Sequence, residues 1–389
     1  MKHAIIALTM LACSFQVAAQ STATWAAAAE FTGKGDMPRE SLSNRSLREI
    51  VKVSIGGEAL RLKLSNEFGS SPVDIRSIFI ADATDSCSID VKSAKYLSFS
   101  GKKNITIEAG KAIYTDIANY KLCPLQRLSI TINYGDRVPE NATSHRGSRT
   151  TSFIINGVSK PKTKFVNAER VDHWYNIAAI DVMNTEEQPC IAVLGNSITD
   201  GRGSTTNAQN RWPDMMADAL GGKTAVLNLG IGGNAVLAGG LSEPAVKRFE
   251  RDIMQQQGVK TLIIFQGVND IGGSKGNSEQ VANDLIAAYT KFTERAHAAG
   301  IKVFLATITP FKGNGYYTIF HEAARQVVNE WIRKQNICEG IIDFDKLVRD
   351  PNDAAKLQER YSDDWLHLNP AGYAAMGTYA AEIISKANK

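Results

Sequence analysis

Cys190-Ile191-Ala192-Val193-Leu194-Gly195-Asn196-Ser197-Ile198-Thr199-Asp200-Gly201 reads as an apolar strand that runs straight into a turn towards a helix. Four more apolar strands follow it, at Ala225 to Leu229, Thr261 to Phe265, Lys302 to Ile308 and Gly340 to Phe344. Between them the period lengthens to that of amphipathic helices, at Trp212 to Leu220, Ala245 to Gln257, Val281 to Ala299 and Phe320 to Lys334, and a last helix runs from Pro370 to Ser385. Strands that alternate with crossover helices give an α/β fold, here a doubly wound parallel sheet of five strands over residues 190–389.

Upstream of the polar stretch Asn184-Thr185-Glu186-Glu187-Gln188-Pro189 the pattern changes. Residues 22–183 hold short alternating segments such as Ile50 to Ile55, Leu60 to Leu64, Asp74 to Ile80, Ile89 to Val91, Asn104 to Ile107 and Leu128 to Ile132, broken by turn residues such as Gly56-Gly57 and Tyr134-Gly135-Asp136. Period-two alternation at this spacing predicts an all-β sandwich or jelly roll. Residues 1–19, with Lys2 and His3 before an apolar run ending in Val17-Ala18-Ala19, read as a signal peptide and imply a secreted or periplasmic protein. The competing reading takes Met10-Leu11-Ala12-Cys13 as a lipoprotein box with an anchor at Cys13. No later segment has the length of apolar sequence that a spanning helix needs. Cys87, Cys123, Cys190 and Cys338 permit three pairings; Cys87 and Cys123 share the N-terminal region, and buried free thiols suit Cys190 and Cys338.

The 44 Lys and Arg residues are scattered against 40 Asp and Glu, so nothing marks a nucleic-acid partner. Neither a Walker loop nor a dinucleotide fingerprint is present, and His321-Glu322 lacks the second histidine of a zinc-protease motif. No cofactor and no metal are expected, and His297 and His321 read as helix-surface residues.

In an open α/β sheet, ligands bind beyond the carboxyl ends of the strands. The first strand ends at Ser197, on a turn that exposes a hydroxyl. The second ends in Gly230-Ile231-Gly232-Gly233-Asn234, whose glycines let backbone N–H groups approach a ligand. The third ends in Gly267-Val268-Asn269-Asp270, which offers a side-chain amide. Near the C-terminus Asp364-Trp365-Leu366-His367 places a carboxylate three residues before a histidine, the pairing a general base for serine attack requires.

Gly195-Asn196-Ser197, Gly233, Gly267-Val268-Asn269-Asp270 and Asp364-x-x-His367 resemble the four ordered blocks of the SGNH, or GDSL-like, hydrolases. The resemblance covers roughly residues 190–389, and the whole chain resembles an exported bacterial subgroup with an N-terminal β-sandwich. It implies a serine esterase with Ser197 as nucleophile, His367 as base and Asp364 as its orienting carboxylate. The oxyanion hole it implies comprises the Ser197 and Gly233 backbone N–H groups and the Asn269 side-chain amide. One departure is Asn196, where the family usually has Asp; an asparagine keeps an acceptor oxygen but carries no charge. The implied substrate is an ester of a polysaccharide or small molecule, most simply a carbohydrate ester losing acetyl or another acyl group. Trp212, Phe311 and Trp365 are candidates to line a sugar site, with core packing the alternative for the first two. The other readings are a lipase or arylesterase of broad specificity and, from another class, a non-catalytic carbohydrate-binding protein with a degenerate hydrolase domain. The α/β-hydrolase elbow is excluded because Thr199 stands where its last glycine belongs.

Overall fold

The computed structural model describes residues 20–387. The signal peptide and the lipoprotein box at Cys13 lie outside the described residues. From Gln20 to Asn184 the chain is antiparallel β. The strand Arg127–Tyr134 is central to the larger sheet, pairing with Arg45–Lys52 on one side and Val73–Asp82 on the other. Its alternate residues Leu128, Ile130, Ile132 and Tyr134 supply apolar side chains to the core, as period-two patterning predicts, and the polar residues between them, Ser129, Thr131 and Asn133, are buried as well. That second sheet pairs Gln20–Ala26 with Ile177–Asn184 and the latter with Gly57–Ser65.

The expected strand at Ile89 to Val91 does not form. Ile89 makes a single bridge to Ala83, and the Asp90 carboxylate accepts the Lys92 N–H at 2.9 Å, turning the chain into a short 3-10 turn at Val91–Ser93. Of the three pairings the sequence leaves open, none forms: all four described cysteines are free. Cys87 follows a strand of the larger sheet, whereas Cys123 follows Ala118–Leu122 of the other, so the fold carries them to different layers.

After Thr185–Pro189 the second unit begins. Its five parallel strands are ordered Ala225–Gly230, Cys190–Gly195, Val259–Phe265, Lys302–Ala306 and Gly340–Ile342, the doubly wound, flavodoxin-like order with the first strand inside. The chain reverses direction of winding beside Cys190–Gly195, so the crevice opens at the end of that strand. The helix Ala245–Phe249 is shorter than expected and continues as a π-helical turn over Glu250–Met254. The helices Trp212–Ala219, Ser278–Ala298, Ile319–Lys334 and Pro370–Ala387 form close to where the periodicity places them.

The two units share their burial. Ser54 Oγ accepts the N–H of Val226 on the edge of the parallel sheet at 3.1 Å, and the Ala23 N–H donates to Gln257 at 3.0 Å. Buried apolar side chains from both form one continuous cluster.

Candidate active site

The turn that carries Ser197 is dictated by close approach. A Cβ on Gly195 would lie 2.1 Å from Thr199 Oγ1, so only glycine ends the strand this tightly. Asn196 caps the short helix Ser197–Asp200 through Oδ1, which accepts the Ile198 N–H at 3.0 Å. That is the acceptor oxygen an asparagine shares with the family's aspartate, and it serves without the charge. Gly201, at φ +99°, closes the turn by donating to the Ser197 carbonyl at 3.0 Å.

Ser197 Oγ lies 2.9 Å from His367 Nε2, and His367 Nδ1 lies 2.7 Å from Asp364 Oδ2. The other oxygen of Asp364 accepts the N–H groups of Leu366 and His367 at 3.0 and 2.8 Å, so the three-residue spacing locks carboxylate and imidazole within one loop. Nδ1 must donate to a carboxylate while Nε2 faces a hydroxyl able to donate to it, which defines a neutral imidazole with the proton on Nδ1. Burial pushes the His367 ring below its ordinary value, outweighing the Asp364 bond, and the charges of Arg202 and Arg149 push the same way. Burial acts to raise Asp364, but its bonds to His367 prevail and hold it below the usual carboxylate range. A serine facing a neutral imidazole whose far nitrogen is held by a carboxylate is an arrangement able to form and resolve an acyl-enzyme. Asp363, adjacent in sequence, is exposed and takes no part in the relay.

The second and third strand ends meet at Asn234. Asn269 Nδ2 donates to the Asn234 carbonyl at 2.8 Å, which ties it to the residue following Gly233, itself at φ +66°. The Tyr316 hydroxyl donates to Asn269 Oδ1 at 3.2 Å and so fixes which way the amide faces. Beneath them the wholly buried Arg248 donates to the Gly195 carbonyl at 2.9 Å and to Asn234 Oδ1 at 3.0 Å, and Gln266 Nε2 donates to Gly195 at 2.8 Å. Asp270 accepts the N–H groups of Val236 and Leu237, and its burial raises it to about 6.

Two expected sugar-site residues are corrected. Trp212 and Phe311 have no accessible surface; Trp212 packs between Phe265 and Phe344 and spends its indole N–H on Thr199 Oγ1 at 3.2 Å. Apolar rings of this size are buried wherever the core has room for them. Trp365 is half-buried at φ +61°, with the Lys356 ammonium 4.0 Å above its ring. His321, read as a surface residue, is buried with Nδ1 2.6 Å from the Tyr316 carbonyl.

The residues missed in the sequence include Asp200, His145 and Arg149. The Asp200 side chain is inaccessible and lies 2.9 Å from His145 Nε2 and 3.0 Å from Arg149 Nη2, both from the β-unit. Gly147 is packed so closely that a Cβ there would stand 2.0 Å from Asp200 Oδ2.

Residues 193–375 match the model of the GDSL-like lipase/acylhydrolase family. Among solved structures, the chain is similar to a family two carbohydrate esterase from Cellvibrio japonicus (13% identity, 95% of this chain and 98% of that one, TM-score 0.39). It is also similar to a carbohydrate acetylesterase from Sinorhizobium meliloti (14%, 51% and 99%, TM-score 0.41). A GDSL-like lipase from Bacteroides thetaiotaomicron gives 20% identity over 52% of this chain and 89% of that one, with TM-score 0.40. No curated protein matches the chain.

Proposed function

We propose that the chain, whose residues 193–375 match the GDSL-like lipase/acylhydrolase family, is a serine esterase acting on carboxylic esters of carbohydrates. The observation that carries the proposal is the unbroken relay from Ser197 Oγ through both nitrogens of His367 to Asp364, at 2.9 and 2.7 Å. In this reading Ser197 Oγ attacks the ester carbonyl as its proton passes to His367 Nε2, and Asp364 stabilises the imidazolium. The tetrahedral oxyanion is received by the N–H groups of Ser197 and Gly233 and by the Asn269 N–H not committed to Asn234. Loss of one such donor lowers turnover by roughly 100- to 1,000-fold in comparable sites. His367 returns the proton to the departing alcohol oxygen, and water, deprotonated by the same nitrogen, releases the acyl group as acid and restores Ser197.

A carbohydrate alcohol is supported by the wall beside His367, where Arg149, Arg202, Asp363 and Asn369 offer both donors and acceptors. The second reading, a lipase or arylesterase, is favoured by Leu241, 69% exposed and packed against Gly233. Release of acetate from acetylated xylan, set beside p-nitrophenyl esters of graded chain length, decides between them. Wild type is expected to prefer acetyl esters and Ser197→Ala to release nothing while remaining folded. A rate that climbs with chain length selects the lipase. Export through residues 1–19 belongs to the same proposal, and a mature N-terminus at Gln20 is its expected mark.

A further inference from the structure

The β-unit reaches into the hydrolase cleft at one residue. Arg149 follows the strand Ala142–His145 and has φ +50°, a left-handed conformation that side chains bearing a Cβ rarely adopt. Hydrogen bonds to the loop beyond the nucleophile hold it there. The Asn207 N–H donates to the Arg149 carbonyl at 2.9 Å, the Thr151 N–H to Asn207 Oδ1 at 2.8 Å, and Gln209 Nε2 to Thr150 Oγ1 at 2.7 Å. The guanidinium is aimed by Asp200, whose Oδ2 takes Nη2 at 3.0 Å while its other oxygen faces His145. One acceptor leaves most of the five guanidinium N–H donors free, and the side chain stays 30% exposed in a cleft it lines with Arg202, Asp364, His367 and Asn369.

We infer that Arg149 is a specificity-determining residue that binds hydroxyl oxygens of the departing alcohol, so that the β-unit completes the substrate cleft of the hydrolase. The inference rests on the esterase reading. His367 must hand its proton to the leaving oxygen, so side chains that flank His367 in the cleft face the alcohol half of the ester. Two guanidiniums and the carboxylates of Asp363 and Asp364 line that flank. Sugar hydroxyls donate and accept and suit such a mixture, whereas an anionic group would meet both carboxylates.

Xylose tetraacetate and p-nitrophenyl acetate form the same acetyl-enzyme and differ only in the alcohol, so kcat/KM on the two isolates contacts to the leaving group. Arg149→Met and Arg149→Lys are each expected to lower kcat/KM on xylose tetraacetate by about tenfold or more beyond any loss on p-nitrophenyl acetate. The lysine variant keeps a cation beside Asp200 and covers the case in which the methionine variant does not fold. Equal losses on both esters would mean that Arg149 only braces Asp200, and no loss on either would mean that it touches no substrate; each overturns the inference. A wild type that cleaves the nitrophenyl ester but not the sugar ester overturns it while leaving the esterase reading intact. A wild type that cleaves neither removes the esterase reading and this inference with it.

Discussion

Two histidine–aspartate pairs flank the turn at Ser197, and their imidazoles are in different protonation states. His367 and Asp364 are 2.7 Å apart, and His145 and Asp200 are 2.9 Å apart. The difference lies in the other ring nitrogen. His367 Nε2 faces a serine hydroxyl, which donates to it. His145 Nδ1 faces the Ala28 carbonyl at 3.0 Å, which only accepts, so both nitrogens of His145 must donate and the ring is an imidazolium. Burial works against that charge, but the Asp200 carboxylate outweighs it and raises His145 above its ordinary value. One pair is thus ready to take a proton and the other already holds it. The remaining partner of the ring, more than the carboxylate beside it, decides whether such a pair is a base or a brace.

The sharpest way to break this contrast is to neutralise the carboxylate of the base. Asp364→Asn is expected to lower kcat by about 10,000-fold, as loss of the orienting carboxylate does in other serine triads, with little change in KM. Asp363→Asn, on the exposed neighbour, is expected to leave both within about twofold. Equal effects of the two substitutions, or the reverse order, measured by steady-state kinetics on p-nitrophenyl acetate, would place the relay on the wrong aspartate.

These two pairs also mark how far the sequence is legible. Asp364 and His367 are three residues apart in one loop, so spacing alone encodes their geometry, and the parallel sheet that positions Ser197 follows from helix and strand periods. Asp200 and His145 are 55 positions apart and belong to different folding units. No local pattern links them, because a buried ion pair across an interface is specified by packing of the two units. Arg149 and Arg248 are hidden for the same reason: a lone arginine in a loop or on a helix looks like solvated surface until the fold brings carbonyls and carboxylates around it. Trp212 and Phe311 fail in the opposite direction, since an aromatic ring near a motif suits a binding wall and a core equally. The free Cys87 and Cys123 show that proximity along the chain does not choose a layer of a sandwich.

Breaking the brace should cost stability instead of turnover. His145→Ala leaves the inaccessible Asp200 with Arg149 as its remaining charged partner and is expected to destabilise the fold by about 3 kcal/mol, read from urea unfolding. His297 provides the control, since its pair with Glu339 is at the surface, 38% and 37% exposed. His297→Ala is expected to change stability by less than about 1 kcal/mol. A His145 variant no less stable than the His297 variant would mean that the buried pair contributes nothing net.

The smallest effect is in pH, and it separates the pairs by sign. His145 is raised above 6.5 in the folded chain, so the folded state holds an extra proton between 6.5 and that higher value. The stability it contributes is complete below 6.5 and is lost as pH rises through the folded value. His367 is lowered, so between its folded value and 6.5 the unfolded chain binds the extra proton, and stability is lost as pH falls through that window. The two contributions lie on opposite sides of the ordinary histidine value and together make a shallow dome. Asp270, raised to about 6 from 3.8, tilts the acid side the other way, so single curves mix its effect with that of His367. Differences between wild type and variant cancel it. Subtracting the Tm profile of His145→Ala should leave a difference that shrinks as pH rises above 6.5, and subtracting that of His367→Ala one that changes only below 6.5. The rate on p-nitrophenyl acetate should follow the second pair alone, rising with a midpoint below 6.5 as His367 loses its proton. If the midpoint instead lay above 6.5, the base would be a histidine held charged like His145, and the assignment of different protonation states to the two rings would be wrong.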